Sequence, residues 1–553
     1  MIHLARTLES SLLPFPDTMS WEKGNIVRTE WSAAQKIQYR AGQTFHFLAS
    51  VALFPVALAM SLGSRMIALF HGPAPRIEKA DSPADLSSAL PADFGFADSL
   101  FQTSGLGTWA SATELKGRSN WNQWLKPEHI EGPNTYPERF VDILKNPLPF
   151  IQILKNDLNV TAHRFSLEWA VIEPTQGKLD LEAIDLYRNF IKELKKAGIE
   201  PYVTLHHFVL PEWFGDFEQL ENVDLFVSHS LKMMDLFPEV KNWMTINEPG
   251  VYALQTRIRR VYPHPPSKRN DLDSAAQVLR NLLIAHCKIY KNAKEKFGDK
   301  VLVGITHQWL NFEPLEGNPL ERIICYFMSK ITHYAVYNFF KTGRFDFDIP
   351  LKTNVHLNIS EKEFEKNNRF LDFIGVQFYG YPRLKAGFNG AQEYPGHGTI
   401  NIPLLFTGLT FGSTCPKGGK AMSFGPSFYP ESLQDCLTEA AALNKPIAIT
   451  ETGCDARIQK WGDKEFTIDN ETQKEYFVKI APILHRFKYQ MKAFFTWTLC
   501  RGHLEWDRGA FPALGTVEVM KDRSRKITGC KLYPAAELLQ KVYGERKFTK
   551  QAA

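Results

Sequence analysis

The sequence predicts an α/β chain built as a (β/α)8 TIM barrel with an N-terminal apolar helical extension. Three observations carry that expectation. From about residue 93 onward, short apolar runs alternate with longer amphipathic ones; the short runs number eight; and two of them end abruptly in a carboxylate. A chain of 553 residues is long enough for such a barrel enlarged by loop insertions.

The extension comes first. Residues 1–40 mix polar residues with Trp21 and Trp31 and begin with no cleavable signal-peptide pattern. From Ala41 to Ser64 (AGQTFHFLASVALFPVALAMSLGS) no residue is formally charged, with Lys36 and Arg40 before it and Arg65 after. At ~20 apolar residues per crossing the run is just long enough to span a bilayer, although His46 and Pro55 interrupt it. Two readings stand: a membrane span or in-plane anchor over residues 41–70, or an apolar helix packed on the main domain. The expected location is therefore membrane-associated or cytoplasmic. Residues 71–92, rich in Pro, Ser, Ala and Asp, read as a linker. The expected division is an extension over 1–92 and a barrel over 93–553.

Within the barrel, strands covered on both faces read as nearly continuous apolar runs. The candidates are Phe94–Gln102, Val160–Trp169, Ile199–His207, Asn242–Glu248, Val301–Trp309, Leu371–Tyr379, Pro446–Glu451 and Met491–Leu499. Between them, apolar residues at three-and-four spacing predict helices such as Leu181–Ala197, Ala275–Phe297, Glu431–Leu443 and Glu471–Phe487. A doubly wound sheet is the structural alternative. It requires a nucleotide fingerprint at the first strand–helix turn, and Gly105, Gly107 and Ala110 open onto Ser, Thr, Gly and Trp instead of a clean helix.

Composition excludes several functions. A net charge of +5, with basic residues spread along the chain, argues against a dedicated nucleic-acid protein. Seven cysteines, an odd number without a CxxC pair, read as free thiols in a reducing compartment. There is no HExxH, no cysteine–histidine cluster and no phosphate-cradling lysine loop, so neither a metal nor a cofactor is expected. The aromatic content of 13% suits flat platforms for sugar rings, although a large core also absorbs aromatics.

The chemistry is expected where two strands end. In NWMTINEP (242–249), Asn247 and Glu248 follow an apolar run and Pro249 stops it; in KPIAITETG (445–453), Glu451 and then a glycine end a second run. The carboxyl ends of barrel strands form the reactive rim. Two carboxyls facing one glycosidic bond can protonate the leaving oxygen and meet the positive charge at the anomeric carbon. One must be ionised and the other protonated at a single pH, so their surroundings must separate their pKa values. Arg164, in HRFSLEW, can hold one carboxylate ionised, and Tyr379 can donate a phenolic hydrogen bond to it. Gln102, His207, Asn247, Glu505 and Trp506 fall at or beyond strand ends and offer donors, acceptors and a platform for hydroxyl groups.

Seven segments, FGFADSLFQTSG (94–105), HRFSLEWAVIEP (163–174), VTLHHFVLPEW (203–213), TINEP (245–249), DFIGVQFYG (372–380), ITETG (449–453) and WTLCRGHLEW (497–506), resemble in order the signature segments of family 1 glycoside hydrolases, the β-glucosidase and β-galactosidase group. The resemblance covers roughly 93–545 and implies a cofactor-free retaining β-glycosidase on a (β/α)8 barrel. It implies that Glu248 is the acid/base and Glu451 the nucleophile, attended by Arg164 and Tyr379. It also implies that Asn247 binds the sugar 2-hydroxyl and that Gln102, His207, Trp497, Glu505 and Trp506 bind the glycone. The departures are QTSG for QxEG, ITETG for ITENG, QFY for NYY, and WTLCRGHLEW for WSLxDNFEW. The last has Arg501 and Gly502 for Asp and Asn, and one extra residue between Trp497 and Glu505.

The leading expectation is a retaining hydrolase of terminal β-linked glucose or galactose. Glu505 argues against a phosphorylated sugar, unless Arg501 or Arg508 points inward. A second expectation is a membrane-associated transglycosylase acting on glycolipid, prompted by a resemblance to galactolipid-remodelling relatives with an apolar N-terminus. A third is a non-catalytic sugar-binding barrel.

Overall fold

The computed structural model describes residues 13–22, 25–44, 86–106, 119–122, 139–258, 264–268, 270–315, 317, 319–387, 410–413, 419–422, 428–460, 465–505, 513–523 and 525–551. Eight parallel strands close into a barrel: β1 (Asp93–Ala97), β2 (Ala162–Ser166), β3 (Glu200–His206), β4 (Asn242–Asn247), β5 (Leu302–Gln308), β6 (Phe373–Phe378), β7 (Ile447–Thr452) and β8 (Met491–Trp497). Neighbours in the ring are neighbours in sequence, and β8 pairs with β1 to close it.

Strand alternation divides the core in two. Inward-facing Ala162, Tyr202, Met244, Phe373, Ala448, Ala493 and Phe495 pack together in the bore, while the much larger apolar cluster lies between strands and covering helices. The expected helices form at Leu181–Lys196, Leu272–Phe297, Leu433–Ala441 and Asn470–Arg486. Asp180, Asp271 and Asp469 each cap one of them through a side-chain bond to a first-turn amide.

The extension is joined to the barrel more closely than its polar sequence suggests. Asp17–Glu22 adds a parallel strand to Thr353–Ile359, which itself pairs with Arg344–Ile349, and Asn25–Arg28 folds back on the outer edge. Trp21 is buried edge-on against Phe370, and Asp17 pairs with buried Arg280 at 2.8 Å. A helix over 33–44 returns to the same point, where Tyr39 donates to the Pro14 carbonyl and Asn354 donates to both.

The linker expected over 71–92 is corrected at its end. Leu86–Ala89 is helical, and Leu86, Ala89 and Leu90 are buried, because they cover the outside of the barrel beside the helix Asn470–Arg486. No helix among the described residues is long and apolar enough to cross a membrane. The apolar segment expected over 41–70 lies outside the described residues beyond Thr44, as do Gly107, Ala110, Cys415, Trp506 and Arg508. The other six cysteines are free thiols, five of them buried.

Candidate active site

Glu248 and Glu451 reach the rim by the same backbone device. Along β4, Met244 faces the bore and Thr245 faces outward to His286 on the helix Leu272–Phe297, so strict alternation would turn Asn247 outward as well. A register shift between Met244 and Asn247 turns it into the bore. On β7, Val376 pairs with Ile449 but Gln377 pairs with Glu451, which leaves Thr450 as the extra residue and brings Glu451 inward. Glu248 follows with a left-handed backbone (φ 44°, ψ 62°), uncommon for a residue with a Cβ, and its amide is held by the Thr306 carbonyl at 2.9 Å. After Glu451, Gly453 lets the chain pass the Trp497 carbonyl, which any Cβ there would meet at 2.5 Å.

Arg164 stands at the centre, almost wholly buried. Its Nη1 donates to Glu451 Oε1 at 2.5 Å and to the Thr450 carbonyl at 3.2 Å, Nη2 to Asn247 Oδ1 at 2.6 Å, and Nε to Thr204 Oγ1 at 3.1 Å. Tyr379 donates to the other oxygen of Glu451 at 2.6 Å. Asn247 Oδ1 also accepts from Gln377 Nε2 (2.8 Å) and Thr306 Oγ1 (3.1 Å), while its Nδ2 has no partner.

The two carboxyls are pushed apart by these surroundings. Burial raises Glu248 well above the ordinary glutamate range, the charge of Glu451 raises it further, and Arg164 only partly opposes them. Burial raises Glu451 as well, but Arg164 and the Tyr379 hydroxyl pull it back. Of the pair, Glu248 is therefore the one that keeps its proton and Glu451 the one that ionises.

Around β8 and β1, a second group of the expected residues comes together. Trp497 lies in the bore with His207 stacked on it, ring centroids 5.8 Å apart, and its Nε1 donates to Glu505 Oε1 at 3.3 Å. Gln102 is on the short helix Leu100–Ser104, not on the strand; its Nε2 donates to the Leu504 carbonyl at 2.8 Å and its Oε1 is buried without a partner. Arg501 turns away from this group to the Gly515 carbonyl, Asn470 and Gln473, with its guanidinium 4.0 Å from the Tyr533 ring centroid. It therefore does not reverse the argument that Glu505 makes against an anionic sugar.

Sequence reasoning missed Thr204 and Thr306, which look like ordinary strand residues, and His503. His503 is buried with Nε2 at 2.6 Å from Glu505 Oε1. Its signal was position, two residues before Glu505 in the segment that departs most from the family pattern.

Nine carboxyl, amide, hydroxyl, imidazole, indole and guanidinium side chains thus meet at one barrel rim: Gln102, Arg164, His207, Asn247, Glu248, Tyr379, Glu451, Trp497 and Glu505. The chain's residues 86–531 match the family model for "Glycosyl hydrolase family 1". Among curated proteins it is 27% identical to a furostanol glycoside 26-O-β-glucosidase of Hellenia speciosa, over 78% of this chain and 79% of that one. It is also 27% identical to a 6-phospho-β-galactosidase of Staphylococcus epidermidis, over 75% and 90%. Among solved structures, a rice β-glucosidase superposes with a TM-score of 0.64 at 20% identity, covering 82% of this chain and 98% of the other. A family 1 β-glucosidase of Thermotoga maritima gives 0.62 at 22%, covering 82% and 97%.

Proposed function

This chain belongs to glycosyl hydrolase family 1 and is a glycoside hydrolase, and from that premise we propose that it is a retaining β-glycosidase acting on unphosphorylated terminal glucose or galactose. The observation that carries the reading is the asymmetric setting of the two acids. Glu451 has both oxygens fixed, by Arg164 and Tyr379, as a nucleophile needs for one defined line of attack. Glu248 has no such cation bonded to it among the described residues and is kept protonated by burial, as an acid needs.

In the first step Glu451 attacks the anomeric carbon while Glu248 gives its proton to the departing oxygen, which leaves a glycosyl ester on Glu451. In the second step Glu248, now a carboxylate, takes a proton from water, which attacks from the face the leaving group vacated. Asn247 Nδ2, which has no partner among the described residues, can donate to a sugar hydroxyl close to Glu451. The carboxylate of Glu505 supports a neutral glycone, since a sugar phosphate brought beside it would be repelled.

NMR of the first-formed sugar tests this reading. A β anomer from a β-glycoside supports it, and an α anomer overturns it. Glu451→Ala should lose turnover of an aryl β-glycoside and regain part of it with azide as the α-glycosyl azide; full activity in that variant would refute the assignment.

A further inference from the structure

Resting on that reading, we propose that His503 is a positioning residue which removes one oxygen of Glu505 from substrate recognition, so that the carboxylate meets the sugar through Oε2 alone. Glu505 Oε1 lies 2.6 Å from His503 Nε2 and 3.3 Å from Trp497 Nε1. A carboxylate oxygen has two lone-pair directions, and these two donors occupy both. Glu505 Oε2 has no such donor among the described residues.

The ring cannot swing away. His503 is fully buried, its Nδ1 faces the Cys500 carbonyl at 3.3 Å, and its plane stands edge-on to Trp497 at 5.6 Å and 87°. The backbone that carries the pair is fixed too, because Leu504 donates its amide to the Gln102 carbonyl at 3.0 Å and accepts from the Gln102 side chain at 2.8 Å. Gln102 and Asn247 are treated in the same way. Each spends one end of its amide on the protein and leaves the other unpaired: Oε1 in Gln102, Nδ2 in Asn247. With Glu505 held by His503, each of the three polar side chains offers one kind of bond.

The test compares aryl β-glycosides with their 3-, 4- and 6-deoxy analogues in the wild type, His503→Ala, His503→Gln, Glu505→Gln and the double variant His503→Ala/Glu505→Gln. Thermal unfolding midpoints serve as a check on folding. In the wild type one deoxy position should cost about 100-fold or more in kcat/KM, because a buried acceptor is left unmet. In His503→Ala that discrimination should fall below about tenfold, chiefly through KM. His503→Gln, which keeps a donor, should restore most of it, and the double variant should be little worse than Glu505→Gln alone.

Loss of the same factor on every sugar, or additive losses in the double variant, would overturn the proposal. Binding of glucoimidazole, measured by calorimetry, gives a reading independent of turnover. About tenfold weaker binding in His503→Ala than in His503→Gln supports the proposal, and equal affinities overturn it. A wild type that binds glucoimidazole but hydrolyses no glycoside would sink the glycosidase reading and leave the His503 comparison intact; a wild type that does neither sinks both.

Discussion

The β2–β4–β6–β7 side of the rim and the β8–β1 side are held together on different terms. On the first, Arg164, Asn247, Tyr379 and Glu451 are joined to one another by bonds drawn from four strands. On the second, Gln102, Trp497, His503 and Glu505 are linked through a five-residue helix and an altered loop. The difference teaches that, on the proposed reading, the two acids' surroundings are tied to several strands at once, while the residues proposed to hold the sugar are tied by fewer bonds.

That contrast can be broken or sharpened by substitution. Glu451→Ala should have the largest effect, a fall in kcat on the order of 10,000-fold or more without azide. Glu248→Gln should cost about 100- to 10,000-fold on substrates with poor leaving groups and far less on dinitrophenyl glycosides, which depart unprotonated. It should also abolish the alkaline limb of the kcat/KM profile. In the wild type, activity is lost as pH rises through the raised pKa of Glu248 and, on the acid side, as pH falls through that of Glu451.

Arg164→Met should lower stability by roughly 3–5 kcal/mol in chemical denaturation, because a buried carboxylate loses its counter-ion. Gln102→Ala, on the sparser side, should cost only about tenfold in kcat/KM with the fold unchanged. If Gln102→Ala proved as damaging as Arg164→Met, the contrast between the two sides would fail.

A further effect concerns stability alone. Burial holds the Glu168 carboxyl at about 7 against an ordinary 4.5, opposed by bonds from Ser166 and the Phe101 amide. The folded state therefore holds that proton more tightly than the unfolded state, and stability falls as pH rises from about 4.5 to about 7, then levels off. The decline attributable to this group is on the order of 3 kcal/mol. Glu168→Gln should flatten that part of the curve of unfolding free energy against pH.

The barrel was legible because its eight strands are buried on both faces and most of them read as largely apolar runs; their observed limits differ from the expected ones by only a few residues, except in β1. There Phe94–Gln102 reads as a single run but breaks after Ala97, and Gln102 is carried by a helix. Glu248 and Glu451 were found from where their strands stop. Which way they face was not legible, because alternation counted along β4 and β7 misses the extra residue that turns each strand end inward. Thr204 was hidden for another reason: threonine is a good strand former, so nothing in the sequence marked it as the acceptor for Arg164 Nε. The strand Asp17–Glu22 was read as part of a detached extension since its partner, Thr353–Ile359, lies more than 300 residues away.

Arg164 has one more consequence. Its guanidinium binds β3, β4 and β7 from a seat on β2, so a single cation gauges the width of the upper bore. Any breathing of the wall tugs on Glu451, the proposed nucleophile, and warming should erode reactivity slightly before the barrel melts.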